Sequence, residues 1–282
     1  MLVLHTLAEL RLELRKARNK GLRVGLVPTM GNLHEGHLRL VDRARESNSL
    51  VVASIFVNPL QFGENEDFDS YPRTLKNDSA LLEARGCNIV FAPSVAEVYP
   101  DGLRGESTVH VPDLTMHHCG ASREKHFDGV ATIVSKLFNM VQPDEAVFGE
   151  KDFQQLMVIR KLVKDLCFPV EVISVATCRE EDGLAKSSRN GYLDLEERKL
   201  GKYLYLVLLE TKAALEEGGR DFASIRLEAI TSLTEYGFKL DYFNIASVET
   251  LLPAKGGDVD IVILAAAYMG TTRLIDNIRV SL

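Results

Sequence analysis

The sequence has no tryptophan, few aromatics and only four cysteines among its 282 residues. Cys87, Cys119, Cys167 and Cys178 lie far apart and form no Cys-x-x-Cys pair. That spacing excludes a disulfide framework and a four-cysteine zinc site, and it is the usage of reduced thiols in a cytoplasmic protein. Long apolar runs are missing too. The longest, Ile261–Met269, has nine residues, whereas a bilayer span takes about twenty. The amino end, with Glu9, Arg11 and Glu13 soon after Met1–Leu4, lacks the basic start and apolar middle of a signal peptide. Positive charge is in deficit: 33 Lys+Arg against 40 Asp+Glu give a formal charge of −7. This removes the electrostatic footprint of a general nucleic-acid or acidic-membrane binder. A local cationic site for a small anion is still allowed. The cluster His117-His118-Cys119, with His126 nearby, has metal-ligating side chains but no second ligand pair at zinc-like spacing, and reads as a polar loop.

What is present is an ordinary globular composition, 46% hydrophobic and 26% charged, with no repeat or low-complexity tract. The length suits one large domain or two modest ones. Short runs rich in Val, Ile and Leu at Arg23–Pro28, Leu50–Val57, Ile89–Ala92, Ala146–Gly149 and Val170–Val175 read as buried strands. Phe127, Val130, Ile133, Val134, Leu137, Phe138 and Val141 recur at three- and four-residue steps, one apolar face of a helix over Phe127–Gln142 that Pro143 ends. Lys151–Leu166 repeats that pattern. Alternating β and α elements predict an α/β fold, a doubly wound parallel sheet over residues 1–176. Ligands of such sheets gather beyond the carboxyl ends of the strands. After Ala176 the rhythm changes to helical patterns at Leu195–Glu217 and Asp221–Tyr236, then strands at Leu240–Ala246 and Ile261–Ala267 and a final run from Thr272. Residues 177–282 are therefore expected to form a smaller α+β domain, a lid able to close over a nucleotide held by the first.

The first predicted strand leads into Thr29-Met30-Gly31-Asn32-Leu33-His34-Glu35-Gly36-His37-Leu38. Gly31 and Gly36 have P-loop spacing, but His37-Leu38 stands where that motif needs Lys and Ser or Thr. The zinc-protease pattern fails as well, because His34 and His37 are three apart and not four. No Gly-x-Ser-x-Gly or Gly-x-Gly-x-x-Gly occurs, which removes the main support for hydrolase and dehydrogenase readings. What remains is His-x-Gly-His at a strand-to-helix turn. Two imidazoles at a helix start, where free N–H groups favour anions, can donate to phosphate, and Gly36 lets a flat base approach the backbone. One such histidine alone is usually a satisfied surface or core residue. Downstream, Lys186-Ser187-Ser188-Arg189-Asn190 places two hydroxyls and two cations on one loop; taken alone it is a solvated turn. With His-x-Gly-His it makes the paired signatures of adenylate-forming nucleotidyltransferases.

Five blocks carry a closer resemblance: Pro28–His37, Phe56-Val57-Asn58-Pro59-Leu60-Gln61-Phe62, Tyr71-Pro72-Arg73-Thr74, Phe148-Gly149-Glu150-Lys151-Asp152-Phe153-Gln154-Gln155 and Ser187-Ser188-Arg189-Asn190-Gly191-Tyr192-Leu193. In this order they resemble the pantoate–β-alanine ligase family, most densely from Val24 to Leu193. The resemblance implies a Rossmann-like fold and ATP-dependent joining of (R)-pantoate to β-alanine through pantoyl adenylate, with release of AMP and pyrophosphate. It implies an ATP site at Met30, Gly31, Asn32, Leu33, His34, Glu35, Gly36 and His37, at Gly149, Glu150, Lys151 and Asp152, and at Cys178, Ser187, Ser188 and Arg189. Lys186 joins this set by charge alone, because many relatives carry an apolar residue there.

In that scheme His37 is the leading electrostatic or acid catalyst, supported by His34, Lys151, Ser187, Ser188 and Arg189. Gln61, Gln155 and Asn58 resemble substrate-binding residues for pantoate and β-alanine. Mg²⁺ is expected with ATP, and Asp78 is the ligand candidate beside the neutral Asn77. Lys125 replaces an expected glycine, which leaves Arg123 without an assigned role. A homodimer is implied, with no nucleic-acid or membrane partner. A nucleotidyltransferase that keeps AMP on its product, or a nucleotide sensor with a decayed site, are the competing readings.

Overall fold

The computed structural model describes residues 1–63 and 66–282, in two compact units. The first comprises Met1–Pro112, Arg123–Glu150 and Gln155–Ala176; the second comprises Asp113–Ser122, Lys151–Gln154 and Thr177–Leu282.

The chain begins with β1 (Leu2–Leu4), α1 (Leu7–Arg18), β2 (Val24–Thr29), α2 (Glu35–Ser47) and β3 (Leu50–Ile55). A 3-10 turn at Pro59–Gln61 precedes α3 (Leu75–Ala84), β4 (Ile89–Phe91) and the one-turn helices α4 (Val95–Val98) and α5 (Cys119–Ser122). Then come α6 (His126–Val141), β5 (Glu145–Gly149), a 3-10 turn at Glu150–Asp152, α7 (Phe153–Asp165) and β6 (Glu171–Val175). After a 3-10 turn at Ser188–Tyr192 follow α8 (Leu195–Gly201), α9 (Tyr203–Glu216), α10 (Phe222–Glu235), β7 (Lys239–Ser247), β8 (Asp260–Met269) and β9 (Thr272–Ser281).

In the first unit six strands form one sheet in the order β1-β4-β3-β2-β5-β6, and every pairing is parallel. Strands buried on both faces need continuous apolar runs; Val24, Leu26, Val27, Val51–Ala53 and Ile89–Phe91 supply them at 2% exposure or less. The amphipathic face read over Phe127–Gln142 is α6, where Phe127, Val130, Val134, Leu137, Phe138 and Val141 are all buried. The chain then makes a left-handed turn at Gln142 (φ 50°) and enters β5. The doubly wound α/β expectation therefore holds.

In the second unit β7, β8 and β9 form an antiparallel sheet. Its core joins Phe243, Ile245, Ile261, Ile263, Ala265 and Leu274 to Leu204, Leu208, Leu215 and Leu233 of α9 and α10. The single helix expected over Leu195–Glu217 is two, α8 and α9, interrupted at Lys202. The break follows Gly201, a residue with a helix propensity about 1 kcal/mol worse than alanine.

Candidate active site

β2 pairs with β3 on one side and β5 on the other. The chain leaves β2 toward β3 and later returns through β5. The carboxyl ends of β2 and β5 thus border the point where strand order reverses, where open α/β sheets take their ligands. The His-x-Gly-His segment follows β2 directly, and Gly149 and Glu150 follow β5.

The turn after β2 is shaped by Gly31 (φ 85°) and Asn32 (φ 51°), both left-handed. A Cβ on Gly31 would meet Asp78 Oδ2 and Ile55 Cγ2 at 3.1 Å each, so backbone freedom and space both favour glycine. Asp78, on α3 and fully buried, closes this turn. Its Oδ2 accepts from the Asn32 amide (3.0 Å) and the Thr74 hydroxyl (3.0 Å), and its Oδ1 accepts from the Leu33 amide (2.9 Å). A fully buried carboxylate that already accepts from three donors fits poorly as the direct magnesium ligand expected from the sequence; its work here is to hold the backbone that leads to His34.

His34 is the N-cap of α2. Its Nδ1 accepts from the Gly36 amide (3.1 Å), and the Nδ1 of His37 accepts from the His34 amide (3.3 Å). The two rings therefore cap the helix reciprocally, as a serine–glutamate capping box does, with centroids 4.1 Å apart. A ring nitrogen that accepts carries no proton, so in the neutral form of each imidazole the proton is on Nε2. Glu35, between them, is turned onto Arg85, whose Nη2 donates to both its oxygens at 2.9 and 2.7 Å. Arg85 also binds Asp42.

Beyond β3, Asn58 is fully buried and caps the turn Pro59–Gln61. Its Nδ2 donates to Gln61 Oε1 and to the Gly129 carbonyl at 3.1 Å each, and its Oδ1 accepts from Tyr99 OH (2.8 Å). Asn58, expected to touch substrate, is here a strut behind Gln61. Burial pushes the Tyr99 hydroxyl up, so it stays a donor. α6 comes so close to the turn that a Cβ on Gly129 would lie 2.1 Å from the Leu60 carbonyl oxygen. The Gln61 carbonyl is gripped by His126 Nδ1 (2.8 Å) and Arg123 Nη2 (3.3 Å). Arg123 in turn forks onto Glu66 at 2.6 Å through Nε and Nη2. Half-burial raises the Glu66 carboxyl, but the Arg123 hydrogen bonds outweigh it and hold the group below the ordinary glutamate range.

In the second unit, Lys151 and Asp152 lie on the 3-10 turn that enters α7. The Lys151 carbonyl accepts from Asn277 Nδ2 (2.9 Å). Gln154 is buried; its Nε2 donates to the Leu114 and His117 carbonyls (2.8 and 2.7 Å), and its Oε1 accepts from the Cys119 amide (3.0 Å). His118 donates from Nε2 to the Leu251 carbonyl (2.8 Å), and its Nδ1 faces Asn244 Nδ2 (2.9 Å). Burial pulls the His118 imidazole down, which keeps it neutral.

Ser187 is the N-cap of Ser188–Tyr192 and accepts from the Arg189 amide (3.3 Å). Cys178 is buried and opens the hairpin that reaches Ser187. Lys186 is ion-paired with Glu180 of that hairpin. Arg179 binds Asp276 through both terminal nitrogens (2.6 and 3.0 Å) and stacks on Tyr205 at 3.5 Å. Burial raises the Asp276 carboxyl, and Arg179 opposes that shift.

The family model described as Pantoate-beta-alanine ligase matches residues 2–279 of this chain. The chain belongs to the pantoate–β-alanine ligase family. The ligase is 56% identical to the pantothenate synthetase of Hahella chejuensis over 282 residues, 100% of each chain. Its fold matches the crystal structure of pantothenate synthetase from Thermus thermophilus with a TM-score of 0.93 at 48% identity, covering 99% of each chain. It also matches the Francisella tularensis pantoate–β-alanine ligase, complexed with β,γ-ATP and β-alanine, with a TM-score of 0.81 at 31% identity, covering 99% of this chain and 97% of that one.

Of the residues singled out in the ligase sequence, Met30–His37, Asn58, Gln61, Gly149 and Glu150 lie after the carboxyl ends of β2, β3 and β5 in the first unit, as does Gln155 on α7 in sequence after β5. Lys151, Asp152, Cys178 and Lys186–Arg189 lie in the second. Sequence reasoning passed over Asp276, Asn277 and Arg179, and gave Gln154 no role of its own. An Asp-Asn pair in a β-rich stretch is the one signal it had, since neither residue favours a strand.

Proposed function

We propose that the ligase activates the carboxylate of (R)-pantoate with ATP and passes the acyl group to β-alanine. In the first step a pantoate carboxylate oxygen attacks the α-phosphorus. The α–β bridging P–O bond breaks, pyrophosphate leaves, and pantoyl adenylate remains. In the second, the β-alanine amine attacks the acyl carbon, the acyl–phosphate C–O bond breaks, AMP leaves with the bonding electrons, and the amine sheds its proton. Carboxylate needs this activation because its own leaving group is oxide. No enzyme nucleophile is required, in keeping with a sequence that has no serine elbow.

The observation that carries the reading is the reciprocal histidine cap at the start of α2. With both Nδ1 atoms bound to backbone amides, the Nε2–H groups of His34 and His37 are the donors for phosphate oxygens. Charge grows on the α-phosphoryl oxygens in the transition state, and fixed donors stabilise it without reorganising. The helix N-terminus adds to the same field. We assign the further contacts to ATP to Met30–Leu33, Glu35, Gly36, Gly149, Glu150, Lys151, Asp152, Cys178, Lys186, Ser187, Ser188 and Arg189. Gln61 and Gln155 hold pantoate, each amide offering a donor and an acceptor to a substrate with hydroxyls and a carboxylate. Positioning of this kind contributes up to roughly 7–11 kcal/mol in oriented reactions.

Mg²⁺ would accompany ATP as its phosphate chelate, keeping several waters and neutralising phosphate charge; Asp78, fully buried and already engaged by three donors, fits poorly as its direct ligand. The free thiols Cys87, Cys119, Cys167 and Cys178 suit a cytoplasmic enzyme. No helix among the described residues is long and apolar enough to cross a membrane.

Incubating the pure ligase with ATP, pantoate and β-alanine should yield AMP in step with pantothenate, and only when all three substrates are present. Formation of ADP, or a product that retains AMP, would contradict the assignment.

A further inference from the structure

Two consecutive residues of β9, Asp276 and Asn277, each hold a different segment to which ATP contacts are assigned above. Neighbouring strand residues point to opposite faces, so a two-residue unit can anchor two elements at a fixed span. Asp276 receives Arg179, which also donates to the Gly183 carbonyl (3.1 Å). Arg179 is paired across the hairpin with Ala185, and the Lys186 amide donates to the Cys178 carbonyl (2.9 Å), so the strand end that delivers Ser187 is fixed to that arginine. The Asn190 side chain ties the far end of the loop to the Ala185 carbonyl (3.0 Å). Asn277 holds the Lys151 carbonyl (2.9 Å), and its own amide donates to Asp276 Oδ1 (2.8 Å), which links the two anchors to each other. Both residues are buried, at 4% and 6% exposure, and the contacts that tie them to the two segments run to an arginine and to backbone.

We propose that the Asp276–Asn277 pair is a shared positioning element that sets the Lys151 turn and the Ser187–Arg189 loop at one spacing. The proposal rests on the reading that those two segments bind ATP. Asn277 holds the Lys151 backbone and acts on ATP through that segment, so its effect on ATP should shrink once the Lys151 side chain is gone.

The test uses the full-length enzyme carrying Asn277→Ala, Lys151→Ala, both together, or Arg179→Lys, with ATP affinity by isothermal titration calorimetry, steady-state kinetics and thermal melts. Asn277→Ala should weaken ATP and lower kcat, each by about tenfold, while the KM for β-alanine stays within about twofold; coupled neighbours commonly interact on this scale. In the Lys151→Ala background the same substitution should weaken ATP by less than about twofold. Arg179→Lys keeps the charge but loses the two-pronged contact, and should weaken ATP with the β-alanine KM again unmoved. Should Asn277→Ala not fold, Arg179→Lys carries the decision. Unchanged ATP affinity and kcat in either folded variant, or the same Asn277→Ala penalty with and without Lys151, would overturn the proposal. Parent-like ATP binding and turnover in Lys151→Ala would instead overturn the ATP-site reading beneath it.

Discussion

His34 and His37 cap the helix through Nδ1, and the phosphate contacts proposed for them use Nε2, so the two roles are separable. His34→Ala removes a cap and should cost about 1 kcal/mol of stability together with most of the turnover. His34→Asn keeps a good capping side chain, so its melting temperature should stay near the parent's while turnover falls as far; equal melting losses in both variants would deny the capping role. His37→Ala should lose turnover by a factor of about 10² or more with the fold retained on circular dichroism, and unchanged turnover would remove His37 from catalysis. Lys125, at the N-cap of α6, is left-handed (φ 61°) and exposed. A non-glycine residue pays about 1–2 kcal/mol there, against the entropy that glycine loses, so Lys125→Gly should raise stability by about 0.5–1 kcal/mol in denaturant melts. Residue-level chemistry was partly legible. His-x-Gly-His named its own position at a helix start because histidine spacing and flanking glycines are local facts. Asp78 and Asn58 were read from residue type alone, while their burial and hydrogen bonds are set by segments far away in sequence.

At the scale of elements, the contact between α6 and the Pro59–Gln61 turn depends on one absent side chain. Gly129→Ala would place a Cβ 2.1 Å from the Leu60 carbonyl, a clash with backbone that no rotamer relieves. It should destabilise the enzyme by about 2–3 kcal/mol and raise the KM for pantoate through Gln61; a parent-like melt and KM would contradict the packing. The segment around His118 should respond to pH. Its imidazole is held below the ordinary value by burial, so the unfolded chain takes up the proton first as pH falls. The stability that neutral His118 contributes is present above about pH 6.5 and is lost as pH drops through the lowered folded value. His118→Asn should flatten that part of the stability–pH curve, and an unchanged slope would exclude the residue. Long amphipathic and β-rich elements were readable from period alone. β1 was not, being three residues long. The break at Lys202 escaped because apolar periodicity runs through it.

For the whole molecule, alternation of strands and helices was enough to predict the parallel sheet, because short apolar strands separated by amphipathic helices have few other ways to be buried. The division into units was harder to see. Residues 113–122 and 151–154 belong with the second unit, through contacts such as those of Gln154 and of Asn277 with Lys151 that no linear reading exposes. The net charge of −7 describes the exterior, while the cations assigned to ATP are a small local set. The homodimer that the family resemblance implies can be checked by light scattering at micromolar concentration, which should then give twice the 31.3 kDa chain mass; a monomer mass would contradict it. The central claim, that pantoate is activated as an adenylate before β-alanine takes part, is tested most directly by isotope exchange between pyrophosphate and ATP. Exchange should require pantoate and proceed without β-alanine. A pure, folded preparation that shows no exchange with pantoate, or shows it only when β-alanine is added, would contradict the mechanism.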